Sequence, residues 1–135
     1  MTQYKPVLTA ENARQMLDRA LEAACDAGLA MSIAVVDEGG YPLALQRMDG
    51  AGLMTAKVAM EKARTAALIR APSGRLADRL TAEPALLRLT DYLPMAGGLP
   101  VTMEGRCVGA IGVSGGTPAQ DEQIGATGLE ALTGS

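Results

Sequence analysis

Lys62 interrupts an apolar helical face. Met54, Val58, Thr65, Ala66 and Ile69 share that face at helical spacing, and lysine is seldom buried without a partner. A desolvated amine can serve as a neutral base or a Schiff-base nucleophile. Two plainer fates are open to it: the chain snorkels past the sheet edge to water, or it pairs with a carboxylate. Arg47 and Asp49 stand two apart where a strand leads into the same helix. An arginine fork suits a carboxylate or a phosphate. Asp49 is either a general base or a cap for the turn before Leu53. Lys62 and Asp49 are thus the candidate proton-transfer groups, and Arg47 is the candidate ligand holder.

A second candidate feature is the run from Pro94 to Pro100, PMAGGLP. Gly97 and Gly98, with Met95 beside them, could turn successive backbone N–H groups toward an anion. The same run could equally be a stiff loop that aims the next strand. Asp37, before Glu38-Gly39-Gly40, reads as a turn-forming aspartate. The glycines of Gly109–Thr117 invite a nucleotide reading, but their spacing is neither G-x-G-x-x-G nor a P-loop. Ser114 has no histidine partner, which excludes a Ser-His triad.

Composition narrows the chemistry further. The 135 residues contain no histidine, which removes the usual general base and the commonest zinc and haem ligand. Cys25 and Cys107 have no metal-pair spacing and read as small core residues. Net charge is −3 with no basic run and few aromatics, so a nucleic-acid partner is not expected. Nothing approaches the roughly 18 apolar residues of a membrane span. The N-terminus lacks the apolar stretch of a signal peptide, so a cytoplasmic location is expected.

The elements that must position these residues follow from periodicity. Thr9 caps a helix whose apolar positions run Ala13, Met16, Leu17, Ala20, Leu21, Ala24, and Gly28 stops it. Met31–Asp37 and Tyr41–Met48 form a hairpin around Glu38-Gly39-Gly40, with Leu43 opposite Val35 and Leu45 opposite Ile33. A helix over Leu53–Arg70 closes before Pro72, and Lys57–Glu61 is an i,i+4 pair on it. Ser73 caps a short helix over Arg75–Leu80, and Pro84 starts a further turn. Leu99–Met103 and Arg106–Ser114 make a second hairpin around Glu104-Gly105. Gly109 and Gly112 imply a close neighbour at the last strand. Thr117, Pro118 and Gln120 open the last helix as a capping box. The order α-β-β-α-α-β-β-α predicts an α+β fold, an antiparallel sheet of two hairpins with flanking helices, in a single domain over 1–135. With 48% hydrophobic residues but no Phe or Trp, the core must be built from Ala, Gly, Leu and Met.

Five segments in order, Ile33–Gly39, Arg47–Ala51, Lys62–Ala66, Gly97–Pro100 and Val108–Gly115, followed by Asp121, resemble the GlcG/HbpS family, which includes the C-terminal domain of PduO-type proteins. The resemblance covers nearly the whole chain. It implies a compact sheet-and-helix domain in symmetric homo-oligomers, with haem or corrinoid binding and, in some members, haem degradation. Arg47, Asp49, Lys62, Gly97 and Gly98 match the family pattern. The PduO-type haem site uses a histidine; here an axial ligand would be Met, Cys, Tyr or a hydroxyl, or none. No cofactor is therefore certain. Two functions follow as expectations. The first is a binding module for a tetrapyrrole or small carboxylate, held between sheet, helix and the Gly97-Gly98 loop by Arg47 and Lys62. The second is a cofactor-independent isomerase, tautomerase, hydratase or lyase for a small oxo or hydroxy acid, with Lys62 or Asp49 moving the proton.

Overall fold

The computed structural model describes residues 1–89 and 91–133. Thr90, Gly134 and Ser135 of the domain expected over 1–135 lie outside the described residues. The elements are α1 (Ala10–Asp26), β1 (Ser32–Asp37), β2 (Pro42–Arg47), α2 (Thr55–Ile69), α3 (Ser73–Ala82), a 3-10 turn (Pro84–Arg88), β3 (Gly98–Met103), β4 (Arg106–Ser114) and α4 (Pro118–Thr133). This is the α+β order that the sequence predicts. The two hairpins join through β1 and β4 into one antiparallel sheet of order β2-β1-β4-β3.

β1 is buried on both faces, and its alternation sorts the core into two layers. Ile33 and Val35, with Ile111 and Val113 of β4, meet Met16, Leu17 and Ala20 of α1 and Ile124 of α4. On the other face Ala34, Val36 and Ala110 meet Ala59, Ala63, Ala66 and Ala67 of α2. That second layer is made almost entirely of alanine. A β-carbon added at Gly112 would lie 2.1 Å from the Ala59 carbonyl oxygen, and one at Gly98 would lie 2.1 Å from that of Lys62. The backbone of α2 therefore rests directly on the backbone of β3 and β4. That layer has no room for Phe or Trp.

The same close approach rolls α2 away from the face that hydropathy suggests. Ala59, Lys62, Ala63, Thr65, Ala66 and Ala67 point inward, whereas Met54 is 75% exposed and Val58 and Ile69 are only half-buried. Small volume, not hydrophobicity, decides which side faces the sheet.

Local signals were accurate where side chains bond to the backbone. The Thr9 hydroxyl oxygen accepts from the Asn12 N–H at 3.0 Å, and Gly28 ends α1 at φ +71°. Asp37 accepts from the N–H groups of Gly39 and Tyr41. Thr117 and Gln120 exchange both bonds of a capping box. Replacing Thr9 by Ala is expected to lower stability by about 1 kcal/mol, measurable as a shift of the urea midpoint at unchanged slope.

Three local expectations are corrected. The first hairpin pairs Val35 with Ala44 and Ile33 with Gln46, because a bulge between Val35 and Val36 takes up one residue. Ser73 does not cap α3, whose N-cap Pro72 offers no side chain for the purpose. Lys57 and Glu61 lie one turn apart on α2 as expected, but among the described residues the ion pair of Glu61 is with Arg64, at 3.9 Å, and not with Lys57. Among the described residues no helix is long and apolar enough to cross a membrane.

Candidate functional site

Lys62 is the largest fully enclosed side chain of the core. Its ammonium donates to Asp121 Oδ2 at 2.8 Å and to the Val113 carbonyl at 3.0 Å. The side chains of the pair are 2% and 4% exposed. Asp121 sits in the first turn of α4, where a carboxylate is favoured by the helix dipole. Its other oxygen accepts from the Gly116 N–H at 2.8 Å. Both charges thus have an opposite charge and a backbone partner, the condition under which a buried pair is tolerated. The pair ties α2 to the end of β4 and the start of α4.

Gly97 and Gly98 belong to the same knot. Gly97 has φ +130°, and a β-carbon there would come within 2.9 Å of the Lys62 ammonium. Its carbonyl accepts from the Val113 N–H at 3.0 Å. The Gly98 N–H donates to Ser73 Oγ at 2.8 Å, and Ser73 in turn donates to the Met95 carbonyl. Thr65 Oγ1 accepts from the Leu93 N–H at 2.9 Å. The Gly98 amide expected to face an anion is therefore already donated inside the protein. The space between sheet, α2 and this loop is filled by backbone.

Arg47 and Asp49 lie elsewhere. Arg47 pairs with Ser32, and Ser32 with Ser114, so one strand separates Arg47 from β4, about 10 Å of sheet. Both residues are exposed. They line an open groove of about 460 Å³ with Leu21, Glu22, Cys25, Gln46 and Met48, between the end of α1 and the end of β2. Asp49 does not cap α2: the helix starts at Thr55, and its N-cap is Met54 with no side-chain bond. Met95 is 44% exposed, and its backbone rather than its thioether is engaged.

The structure thus splits the sequence's trio. Arg47 and Asp49 share a groove, while Lys62 joins Gly97, Gly98 and a residue that composition did not single out, Asp121. A signal for Asp121 existed. A lysine on an apolar face calls for a carboxylate, and Asp121 sits in the first turn of a helix entered through Gly115-Gly116. Ser73 was missed because a serine before a helix looks like a cap. Cys25 was misplaced as well. It is exposed, because it falls one residue past Ala24, off the buried stripe of α1.

A four-stranded antiparallel sheet between an alanine-faced helix and a helix pair, locked by a buried lysine–aspartate tie, defines a small α+β layer protein. The chain belongs to the family described as haem degrading protein HbpS-like, whose model matches residues 8–130. A double mutant of HbpS from Streptomyces reticuli has a similar solved structure, with TM-score 0.91 and 41% identity over 98% of this chain and 90% of that one. Protein GlcG of Escherichia coli K12 is 36% identical over 111 residues, 82% of this chain and 83% of that protein. A structure of a PduOC:heme complex shares the fold at TM-score 0.85 and 24% identity, covering 93% of this chain and 95% of that one.

Proposed function

We propose that this chain is a small-molecule-binding protein whose ligand is a tetrapyrrole, held in the groove between α1 and β2. The observation that carries the reading is the donor set of that groove. It joins Arg47, which can hold a propionate, to Cys25, an exposed residue of the same groove. Haem iron accepts cysteine as an axial ligand, so the missing histidine is not an obstacle. Met48 is the weaker choice, because its sulfur already accepts from the Met31 N–H at 3.4 Å. The family's description as haem degrading supports the ligand class. A bound haem would supply a redox-active iron; the chain's part is to hold and orient it.

Other openings fit less well. Cys107 lines a pocket of about 290 Å³, small for a tetrapyrrole, and its thiol is directed at the carbonyls of Ala67 and Gly109. The groove at Met54, Val58 and Tyr92 has the same charge balance as the α1–β2 groove, one cation and two carboxylates, but its cation is Lys57, a point charge without the arginine fork that suits a propionate, and it contains no cysteine. The proton-transfer reading is also less well supported, since Lys62 is sealed against Asp121 and only Asp49 reaches an open surface. The α1–β2 groove is open to solvent, whereas sites for such ligands enclose most of them. A second copy of the chain closing over it fits the proposal, which therefore includes a homo-oligomer.

Titration of the purified protein with haemin tests the reading. Saturable binding with a Soret shift is expected, with Arg47→Gln weakening it about fivefold, as suits an exposed charge pair worth about 1 kcal/mol. Absence of a Soret shift, or equal affinity in Arg47→Gln and Cys25→Ser, would remove the groove from the account.

A further inference from the structure

We propose a second ligand site, for a small organic anion carrying two or more carboxylates, in the angle between α2 and α3. It is a pocket of about 270 Å³ lined by Ile69, Arg70, Ala71, Arg75, Leu76 and Arg79. Three of these six residues are arginines and none is acidic. Arg75 and Arg79 are one turn apart on α3. Arg70 approaches from the end of α2, where it occupies the left-handed region at φ 55° and bonds through its N–H to the Ala66 carbonyl. That conformation is uncommon for a residue with a side chain.

The charge is only partly compensated. Among the described residues, Arg79 meets Glu83 at 3.4 Å, with both side chains more than half exposed. Among the described residues no ion pair within 4.0 Å joins Arg70 or Arg75 to a carboxylate, and the acid that shares a pocket with Arg70, Glu38, lines a different one. Asp78, the single acid of α3, is exposed and does not line the pocket. Three arginines therefore line one pocket in a chain whose net charge is −3. Like charges gathered in a concave site raise the local concentration of counter-ions, and an arginine fork matches a carboxylate with two parallel bonds. The volume is near the lower end, about 300 Å³, of small-molecule sites, which suits a metabolite-sized anion and not a tetrapyrrole. Ile69 and buried Leu76 supply an apolar wall for a carbon skeleton. This site shares no residue with the α1–β2 groove, so it stands or falls independently of haem binding.

Calorimetric titration of the full chain with citrate, at low and at physiological salt, tests the site; pyrophosphate serves as the second probe. The expected result is saturable citrate binding, tighter than that of pyrophosphate. It should weaken at least tenfold in Arg70→Gln/Arg75→Gln and stay unchanged in Arg14→Gln, which removes one exposed charge from α1. All three substituted side chains are exposed, and an unchanged melting temperature confirms that the variants are folded. Failure of citrate to bind, equal weakening by Arg14→Gln, or tighter binding of pyrophosphate would each overturn the assignment.

Discussion

Lys62→Met is expected to lower the free energy of unfolding by about 3–5 kcal/mol, because it leaves the Asp121 carboxylate buried without its counter-charge. The ammonium and carboxylate are 2.8 Å apart and almost fully enclosed. Neither can turn to water when the other is lost. Replacing both, as Lys62→Met/Asp121→Leu, should recover much of that loss, since well-packed apolar groups can replace a buried pair at little cost. Recovery should stay incomplete, because the Gly116 N–H also loses its acceptor. Urea denaturation of the four proteins in the cycle gives the coupling directly. A loss below about 1 kcal/mol in Lys62→Met would show that the pair does not hold the fold together. If Lys62 acted as a catalytic base and not as a tie, the substitution would instead abolish an activity and leave stability nearly unchanged.

The second large effect is expected from glycine, not from charge. Gly98→Ala and Gly112→Ala should each destabilise by about 3 kcal/mol or more, at the upper end of overpacking costs. In both, the new carbon would lie 2.1 Å from a backbone carbonyl of α2, of Lys62 and of Ala59 respectively. A side chain could turn aside, but backbone in a packed helix moves only by lifting the helix off the sheet. Gly52→Ala is the matched control. Its added carbon meets only Thr55 Cγ2, at 3.6 Å, so a change within about 0.5 kcal/mol is expected. Equal melting temperatures for Gly112→Ala and Gly52→Ala would refute the direct contact between α2 and β4.

These two effects also mark what the sequence made legible. Caps, turns and hairpins were readable because each rests on bonds within a few residues, as at Thr9, Asp37 and Gln120. The element order followed, and with it the sheet. The roll of α2 was not readable from hydropathy. Ala59 and Ala63 face the sheet only because Gly98 and Gly112 admit a helix that close, a match of volumes across distant segments. The register of the first hairpin was lost to one bulged residue, which periodicity does not reveal.

The candidate site divides in the same way. That Lys62 would need a partner was readable from its apolar face, but which carboxylate would serve depended on where α4 begins in space. Arg47 and Asp49 were readable as neighbours because they are two apart on a strand end. Cys25 became a candidate only once the helix placed it beyond the buried stripe and opposite Arg47 across a groove. Gly97 and Gly98 looked like an anion cradle because glycine run and cradle share a sequence. Here the positive φ of Gly97 and the missing β-carbons of both serve close packing against Lys62.

The most direct measurement of the proposed function is the position of the iron, located by anomalous scattering in crystals grown with haemin. A single iron per chain is expected in the groove between α1 and β2, beside the sulfur of Cys25, with a propionate on Arg47. An iron located anywhere else in the chain, or none in crystals of protein that haemin saturates in solution, would contradict it.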